Sequence, residues 1–404
     1  MMVKALPVRS IIDAVAGAAA AWSDARFAPR RRAVDAVSAR TGYSPSVVEF
    51  AFDRLFRSLT GDAIAAVIAG ELGSLDVLDG FMDTGARGTT RALPIGRVCV
   101  ISSRTTIGVA IVPAVFALCA KCEVLVKDRE DHFVAAFFAT LTEMLAQLGG
   151  AVAARPWRGQ SDAVDLDAFD LVVAFGSDRT LAAISGALQF PTRLIAYPSK
   201  SSAGYLSLQS LATQSVAETA ARGAARDMLL YDGEGCLSLR ALFIEQGANV
   251  SPFHFCEMLR DAIERTATEF PATPAAGSSA RLAMARDTAS FRRVRGERIF
   301  TDARASYLLL LDPPLDDPPL MLARALSVYS VADPREAATY LERHGIGLEA
   351  LAVGQRDSEY RAIAASLGTS RITAFGSLQA PPLAAFHGGR PRIAEFVRWV
   401  SDET

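Results

Sequence analysis

The sequence lacks the features that assign a protein to several common classes. Its five cysteines in 404 residues are too few for a disulfide framework, so we expect a reducing, cytoplasmic location. A net charge of −2 argues against a dedicated nucleic-acid surface, which needs clustered lysine and arginine. Neither the GxGxxG nor the Walker nucleotide motif occurs. The four histidines stand near no serine elbow and at no metal-ligand spacing.

Long apolar runs are also absent. The longest, residues 109–120, is too short to span a bilayer and contains Pro113. The apolar stretch near the beginning contains Asp13 and fits an amphipathic helix as well as it fits a secretion signal. We therefore expect a protein with no membrane partner.

Two kinds of segment are present. The first ninety or so residues are helical by pattern, and Ser44-Pro45 supplies a capping hydroxyl followed by proline at a first helical position. From Pro94 onward, short apolar runs alternate with helical stretches. This rhythm predicts an α/β fold in which helices cover both faces of parallel sheets.

The alternation predicts particular elements. Strands are predicted at residues 97–102, 123–127, 170–175, 193–197, 241–245 and 306–311. Helices are predicted at residues 109–120, 132–148, after Ser177, 208–230 and from Ser251. Two further strand–helix pairs follow, and "IAEFVRWV", residues 393–400, is predicted as a closing amphipathic helix. The pattern indicates two α/β units with Cys236 at their junction.

Cys236 lies in "YDGEGCLSLR", where Gly233 and Gly235 allow a tight backbone path and a close approach by a ligand. A nucleophilic thiol needs access and thiolate character, and this loop position suits both. An ordinary packing cysteine remains an equal alternative on pattern alone. Cys99 and Cys256 are predicted to be core residues. Cys119 and Cys122 form "CAKC", a possible redox pair, but the pair falls at the end of an apolar helix, where the helix dipole opposes a thiolate.

Two turns between a strand and a helix are candidate ligand sites, since helix N-termini offer free N–H groups there. "FGSDRT" places Gly176 and Ser177 in such a turn, and "ISSRTTIG" puts a run of hydroxyls after another strand. Turns of this kind are more often structural. His387, in "FHGG", is a candidate for the rim of a site.

Several segments together resemble the aldehyde dehydrogenase superfamily. They are "PIGRVCVISSRTT", "EVLVKDREDHF", "VVAFGSDRTLAAI" and "DGEGCLSLR". "GCLS" and the closing "HGGRPRIAEFVRWV" are most similar to the acyl-CoA reductase branch, which includes the fatty-acid reductase subunit of bacterial bioluminescence. The resemblance covers the chain from about Pro94 to its C-terminus and implies an aldehyde-dehydrogenase-like α/β fold.

The resemblance also implies a division of the chain. A helical region, residues 1–93, would pack on a nicotinamide-cofactor-binding domain at residues 94–231. Residues 232–383 would form the catalytic domain that carries the nucleophile. The C-terminal segment, residues 384–404, would return to the cofactor domain.

Roles for individual residues follow from the same resemblance. Cys236 would be the acylated nucleophile, and Thr105 would stand where the family has an oxyanion asparagine. Lys127 would hold the adenosine ribose of the cofactor. Gly176 and Ser177 would lie near its phosphates and nicotinamide.

The cofactor implied is NADPH, with NADH as an alternative. Arg129 would pair with a 2′-phosphate and favour NADPH, whereas Glu130 would bind a free 2′-hydroxyl and favour NADH.

The implied reaction is reduction of an acyl thioester to an aldehyde through an acyl-Cys236 intermediate. Oxidising relatives activate water with a glutamate, but the corresponding stretch here, "YPSKSSAG", has no carboxylate. Alternatives are aldehyde oxidation, or an impaired scaffold subunit that docks an acyl-activating ligase or a carrier protein. Acyl-CoA or an acyl carrier is the expected thioester donor, and a homo-oligomer is the expected assembly.

Overall fold

The computed structural model describes residues 3–85, 88–103, 106–129, 132–157, 164–272, 276–292, 298–355 and 358–404. The chain forms two compact units. The first comprises Met1–Thr41, Val48–Ser199 and Pro382–Thr404, and the second comprises Gly42–Val47 and Lys200–Pro381. The division after Ser199 precedes the boundary predicted after residue 231, so the segment leading to Cys236 clusters with the second unit.

The elements of the first unit begin with a helical region and continue as an α/β alternation. Its helices are α1 Val8–Ser23, α2 Ala28–Thr41, α3 Pro45–Ser58, α4 Gly61–Leu72, α5 Ile111–Cys119, α6 Phe133–Met144 and α7 Asp178–Ala187. Its strands are β1 Met82–Asp83, β2 Thr89–Pro94, β3 Arg97–Ile101, β4 Glu123–Lys127, β5 Val152–Arg155, β6 Leu171–Phe175, β7 Arg193–Tyr197 and, at the C-terminus, β15 Val397–Asp402.

The elements of the second unit alternate in the same way. Its helices are α8 Gln214–Leu229, α9 Pro252–Glu269, α10 Ala276–Arg292, α11 Pro334–Arg343 and α12 Ser358–Ser366. Its strands are β8 Ser201–Leu206, β9 Leu239–Glu245, β10 Arg298–Phe300, β11 Leu308–Leu311, β12 Ala325–Val331, β13 Leu348–Val353 and β14 Arg371–Ala374. Among the described helices of both units, none is long and apolar enough to cross a membrane.

The first unit has a three-stranded antiparallel sheet of the order β1-β2-β15 and a five-stranded sheet of the order β5-β4-β3-β6-β7, in which all strands are parallel. The chain starts in the middle with β3, moves to one edge through β4 and β5, and then fills the other side. In such doubly wound sheets, ligands bind beyond the carboxyl ends of the strands where the order reverses. Here that point lies between β3 and β6, which places the turn after Phe175 at the expected position for a ligand.

The helical region of the first unit packs around one tryptophan. Trp22 of α1 is fully buried, and its ring lies 5.2 Å from that of Phe56 and 5.4 Å from that of Phe133 between ring centroids. Its indole N–H donates to Thr140 Oγ1 at 3.0 Å. The helical character predicted for the first ninety or so residues is confirmed as far as the 3-10 turn at Asp76–Leu78, whereas residues 82–83 and 89–94 are the strands β1 and β2. The helices share a core with α6 of the α/β part of the unit.

The sheet of the second unit has the order β10-β11-β12-β9-β8-β13-β14, in which only β10 is antiparallel to its neighbour. Its central strand β9 is buried on both faces. Leu242 and Ile244 enter the core under α8 and α9, while Ala241 and Phe243 enter the core on the opposite face. This double burial explains why the strand reads as a continuous apolar run.

Two predicted elements differ from the structure. The closing helix predicted at residues 393–400 is wrong: a short 3-10 turn ends at Phe396, and β15 then pairs antiparallel with β2. The apolar spacing of eight residues fits either state, and pairing with β2 decides it. The helix predicted at residues 208–230 is interrupted, because Thr213 caps the start of α8 by accepting from the Val216 N–H.

Candidate active site

The turn after β6 is built to begin a helix. Ser177 is the N-cap of α7, and its hydroxyl oxygen accepts from the Thr180 N–H at 3.3 Å. A side chain on Gly176 would be tight, because a Cβ there would lie 3.3 Å from two carbons of Thr180. Because Gly176 has no side chain, the backbone is accessible at the start of a ten-residue helix. Backbone N–H groups at such a helix N-terminus suit the phosphates of a dinucleotide.

Lys127 ends β4 at the same carboxyl edge of the sheet and is half-buried. Burial lowers the pKa of its amine, and the nearby charge of Arg129 lowers it further. Both residues are cationic at neutral pH by type, so this corner of the site carries concentrated positive charge. The neighbouring Asp128 is committed elsewhere, since its carboxylate accepts from the Val134 and Ala135 N–H groups at the start of α6.

Sequence reasoning missed Trp157, which belongs to the same corner. The Lys127 amine lies 4.8 Å from the centroid of the Trp157 ring, a cation–π distance. Trp157 follows the end of β5, and β5 is the neighbour of β4 in the sheet. An aromatic residue directly after a strand at this edge is the signal that would have identified it.

An aromatic group lies at the carboxyl ends of β6 and β7, where Phe175 and Tyr197 are the last residues of the strands. The rings of Phe175 and Tyr197 stack with 4.6 Å between centroids and an interplanar angle of 7°. The His387 ring lies 4.6 Å from Tyr197. Together with Arg392 and Glu395 they line a small cavity of about 10 Å³, which has room for about one water molecule. The rim position predicted for His387 stays a prediction.

Cys236 belongs to the second unit, in the turn that leads into β9. It is half-buried, whereas the other four cysteines are buried. Burial raises the pKa of Cys99 to about 12, that of Cys119 to about 12 and that of Cys122 to about 11. Cys236 is therefore the one thiol of the five that is partly exposed and that a reagent can reach.

The backbone around Cys236 is fixed on both sides. The Ser238 N–H donates to the Gly235 carbonyl at 3.0 Å and closes a turn around the cysteine. The Ser202 hydroxyl donates to the Cys236 carbonyl at 3.0 Å. Gly233 has φ = 70°, and a Cβ there would lie 3.0 Å from the Met228 carbonyl oxygen, so this glycine is needed for both its conformation and its space.

Two predicted site residues, Thr105 and Glu130, lie outside the described residues. The structure brings Lys127 and Arg129 together at the end of β4 and places Gly176 and Ser177 at the turn after β6. Cys236 is in the other unit. The roles of all seven residues stay predictions.

The fold is shared with known enzymes. A glyceraldehyde-3-phosphate dehydrogenase from Methanocaldococcus jannaschii, solved with NADP, is similar with a TM-score of 0.73 and 11% identity over 99% of this chain and 90% of that chain. An NAD-dependent benzaldehyde dehydrogenase from Corynebacterium glutamicum is similar with a TM-score of 0.71 and 15% identity over 100% of this chain and 87% of that chain. Aldehyde dehydrogenase 21 from Physcomitrella patens is similar with a TM-score of 0.72 and 11% identity over 98% of this chain and 86% of that chain.

The chain therefore has the aldehyde dehydrogenase fold, as the motif resemblance predicts. The model of one family, described as acyl-CoA reductase (LuxC), matches residues 3–399, and this protein belongs to that family. It is an oxidoreductase that acts on acyl or aldehyde groups. A search of curated proteins found no match.

Proposed function

We propose that this protein reduces an acyl thioester to an aldehyde, with Cys236 as the nucleophile and a reduced nicotinamide dinucleotide as the hydride donor. The observation that carries the proposal is the placement of Cys236. The chain belongs to the acyl-CoA reductase family, and Cys236 is half-buried whereas its other four cysteines are buried. Cys236 lies in a turn that is held by hydrogen bonds from Ser202 and Ser238.

The sulfur of Cys236 forms and breaks the covalent bonds of this reaction. Its thiolate attacks the carbonyl carbon of the thioester, and the bond between that carbon and the donor sulfur breaks to release the donor thiol. When bound, the nicotinamide supplies the hydride that brings the acyl group to the aldehyde oxidation level. The bond to Cys236 then breaks, and the thiolate returns to its starting state as the aldehyde leaves.

Residues 197–204, "YPSKSSAG", support the reductive direction because they contain no carboxylate. A positioned base typically accelerates proton transfer by two to four orders of magnitude. Without one in this segment, water competes poorly for the acyl-enzyme. This favours aldehyde formation over hydrolysis to an acid.

The charge at the end of β4 supports NADPH as the cofactor. Lys127 and Arg129 are close enough for the charge of one to lower the pKa of the other. A 2′-phosphate brings negative charge to this place, whereas a free ribose hydroxyl does not. The solved structures named above include one NAD-dependent enzyme and one with NADP, which supports a nicotinamide cofactor without choosing between the two.

The donor thiol follows from the family description, which names acyl-CoA. We propose acyl-CoA as the donor, with an acyl-carrier thioester as the alternative. An acyl-activating ligase or carrier protein that supplies the thioester, and assembly as a homo-oligomer, remain part of this proposal.

Intact-mass measurement after incubation with acyl-CoAs of several chain lengths tests the nucleophile. We expect the protein to gain the acyl mass, peptide mapping to place it on Cys236, and Cys236→Ala to lose it. The four buried cysteines serve as internal controls, because a folded protein should leave them unmodified. Addition of NADPH should discharge the adduct and consume absorbance at the nicotinamide band.

Three results would contradict the proposal. An unmodified Cys236 with every acyl-CoA and carrier tested would remove the nucleophile. NAD(P)-dependent acid formation from aldehydes without CoA would establish the oxidative direction. Binding of neither NADPH nor NADH would indicate a scaffold subunit.

A further inference from the structure

The segment before Cys236 adopts an uncommon conformation. Tyr231, Asp232 and Gly233 are successive residues with φ values of 55°, 49° and 70°. Glycine tolerates this left-handed region, but residues with a Cβ rarely occupy it. Backbone of this kind persists only where the surroundings impose it, and it concentrates at functional sites.

One arginine imposes the conformation of Asp232. The Arg324 backbone N–H donates to the Asp232 carbonyl at 2.9 Å, and its Nε donates to Asp232 Oδ1 at 2.6 Å. A third bond runs from Arg324 Nη2 to the Phe270 carbonyl at 2.9 Å, at the end of α9. Arg324 is 4% exposed and itself has φ = 52°, so both partners depart from ordinary backbone to make this contact.

The other side of the cysteine turn is tied to the same segment. Arg240 of β9 donates from Nη1 to the Leu322 carbonyl at 2.7 Å. Asp232 and Arg240 stand symmetrically before and after Cys236 in the sequence. Residues 322–324, which lead into β12, therefore hold both arms of the turn.

We propose that Asp232 and Arg324 are positioning residues for Cys236: the hydrogen bonds that the side chain and the backbone of Arg324 donate to Asp232 lock the left-handed turn and so set the direction of the sulfur. The inference rests on the proposed role of Cys236. Neither residue touches the reacting atoms in this account. Arg324 is buried and Asp232 is half-buried. Ion pairs of this kind can often be replaced by apolar residues without loss of stability, and we infer that this pair is present to fix the geometry of the turn.

Four variants of the full chain separate geometry from charge and from folding. Arg324→Met and Asp232→Ala remove the contact. Asp232→Asn keeps an oxygen that accepts from Arg324 Nε but removes the charge, and Arg324→Lys keeps the charge but cannot bridge Asp232 and Phe270 together. Arg343→Met is the matched control, since it breaks an exposed ion pair with Asp316 in the same unit.

The first measurement is single-turnover acylation of Cys236 by an acyl-CoA that labels the wild type. We expect Arg324→Met, Asp232→Ala and Arg324→Lys to lower the acylation rate constant by about ten- to a hundredfold, the range for a misplaced reacting group. The KM for acyl-CoA should change less than threefold. Asp232→Asn and Arg343→Met should stay within threefold of the wild-type rate.

The second measurement is the pH profile of Cys236 alkylation by iodoacetamide, which needs no substrate. We expect Arg324→Met to differ from the wild type in one of two ways. Either the alkylation rate differs more than threefold, or the midpoint of the pH profile differs by more than half a pH unit. This arm still tests the inference if no acyl-CoA labels the protein, in which case only the proposed function fails. Labelling of the four buried cysteines identifies a variant that has not folded. Such a variant is set aside, and the folded variants then test the inference.

Wild-type acylation and alkylation in folded Arg324→Met, Arg324→Lys and Asp232→Ala would overturn the inference. Equal damage in Asp232→Asn and Asp232→Ala would also overturn it, because charge rather than the shape of the turn would then control the sulfur.

Discussion

The cysteines of this chain differ in burial, and we expect them to differ in reactivity for that reason. All five cysteines have the same thiol, yet burial raises the pKa of Cys99 to about 12 and of Cys122 to about 11, which removes thiolate at neutral pH. Cys236 is half-buried in a turn between a 3-10 segment and β9. The sequence pattern left it balanced between nucleophile and packing residue, and the burial of the other four favours the first.

Arg129 gives a prediction at this scale. We expect Arg129→Gln to weaken NADPH binding by about tenfold and to leave NADH binding within twofold, because a charge-assisted bond to the 2′-phosphate is lost while the ribose contacts remain. Dissociation constants from fluorescence titration of both cofactors provide the measurement. Arg260→Gln, which removes an exposed arginine paired with Asp261 in the other unit, is the control. Equal weakening of both cofactors, or of neither, would contradict the assignment.

At the scale of elements, a buried carboxylate joins a helix to a loop in the second unit. Asp227 of α8 is fully buried and accepts from the Gly376 N–H at 2.6 Å and the Leu378 N–H at 3.1 Å. Burial raises its pKa to about 7, although the backbone donors and the Arg371 charge oppose this shift. The same loop reaches the cysteine turn, because Gln379 Nε2 donates to Ser238 Oγ at 2.9 Å.

The raised pKa predicts a pH dependence of stability. Between about pH 4 and pH 7 the folded protein holds a proton on Asp227 that the unfolded chain has released. The contribution of Asp227 to the free energy of unfolding therefore falls as the pH rises through this window, by on the order of 1 kcal/mol per pH unit, and is constant above it. Urea unfolding at pH 5.5, 6.5, 7.5 and 8.5 measures it as the difference between wild type and Asp227→Asn.

Subtracting the variant removes the contributions of all other titrating groups. Asp261→Asn, at an exposed position, is the control and should give a difference that does not change with pH. A difference for Asp227→Asn that does not change between pH 5.5 and 7.5 would mean that Asp227 is ionised in the folded protein throughout this range and that its backbone donors outweigh its burial.

Sequence prediction succeeded for elements whose side chains decide their state alone. β4, β7 and α9 were predicted at or near their bounds, because continuous apolar runs and the Ser251 cap with Pro252 are local signals. β8, "SSAGYL", was missed because small residues give it no strand pattern. The reason is tertiary: a Cβ on Gly204 would lie 2.6 Å from the Phe375 ring, so the neighbours and not the strand itself require a small residue.

The candidate site follows the same rule. Motif resemblance predicts site roles for Cys236, Lys127 and the turn at Ser177, because these predictions depend on residue types at short spacing. The contact of Lys127 with Trp157 joins residues at the ends of β4 and β5, and the contact of Asp232 with Arg324 joins segments that precede β9 and β12. Each contact depends on two segments that are distant in the sequence. No pattern within a single segment carries that information.

At the scale of the whole molecule, the chain does not complete its units in sequence order. The C-terminal segment clusters with the first unit, where β15 pairs with β2. Glu71 at the end of α4 secures it, accepting from the N–H groups of Arg392, Ile393 and Ala394 at 2.6, 2.8 and 3.0 Å. His387, which lines the small aromatic cavity, lies in this segment, so its position depends on a carboxylate far away in the sequence.

Glu71→Ala should therefore loosen the C-terminal segment. Three backbone donors lose a charged acceptor, and each unsatisfied group costs about 1–3 kcal/mol where water cannot replace the bond. We expect hydrogen exchange of the Ile393 and Ala394 amides to accelerate at least tenfold, while the Gly376 and Leu378 amides of the second unit keep their wild-type rates. Glu143→Ala, at an exposed position on α6, is the control and should change neither set. Unchanged exchange at Ile393 would mean that pairing of β15 with β2 alone holds the segment, whereas acceleration in both units would mean that Glu71 contributes to the stability of the entire chain.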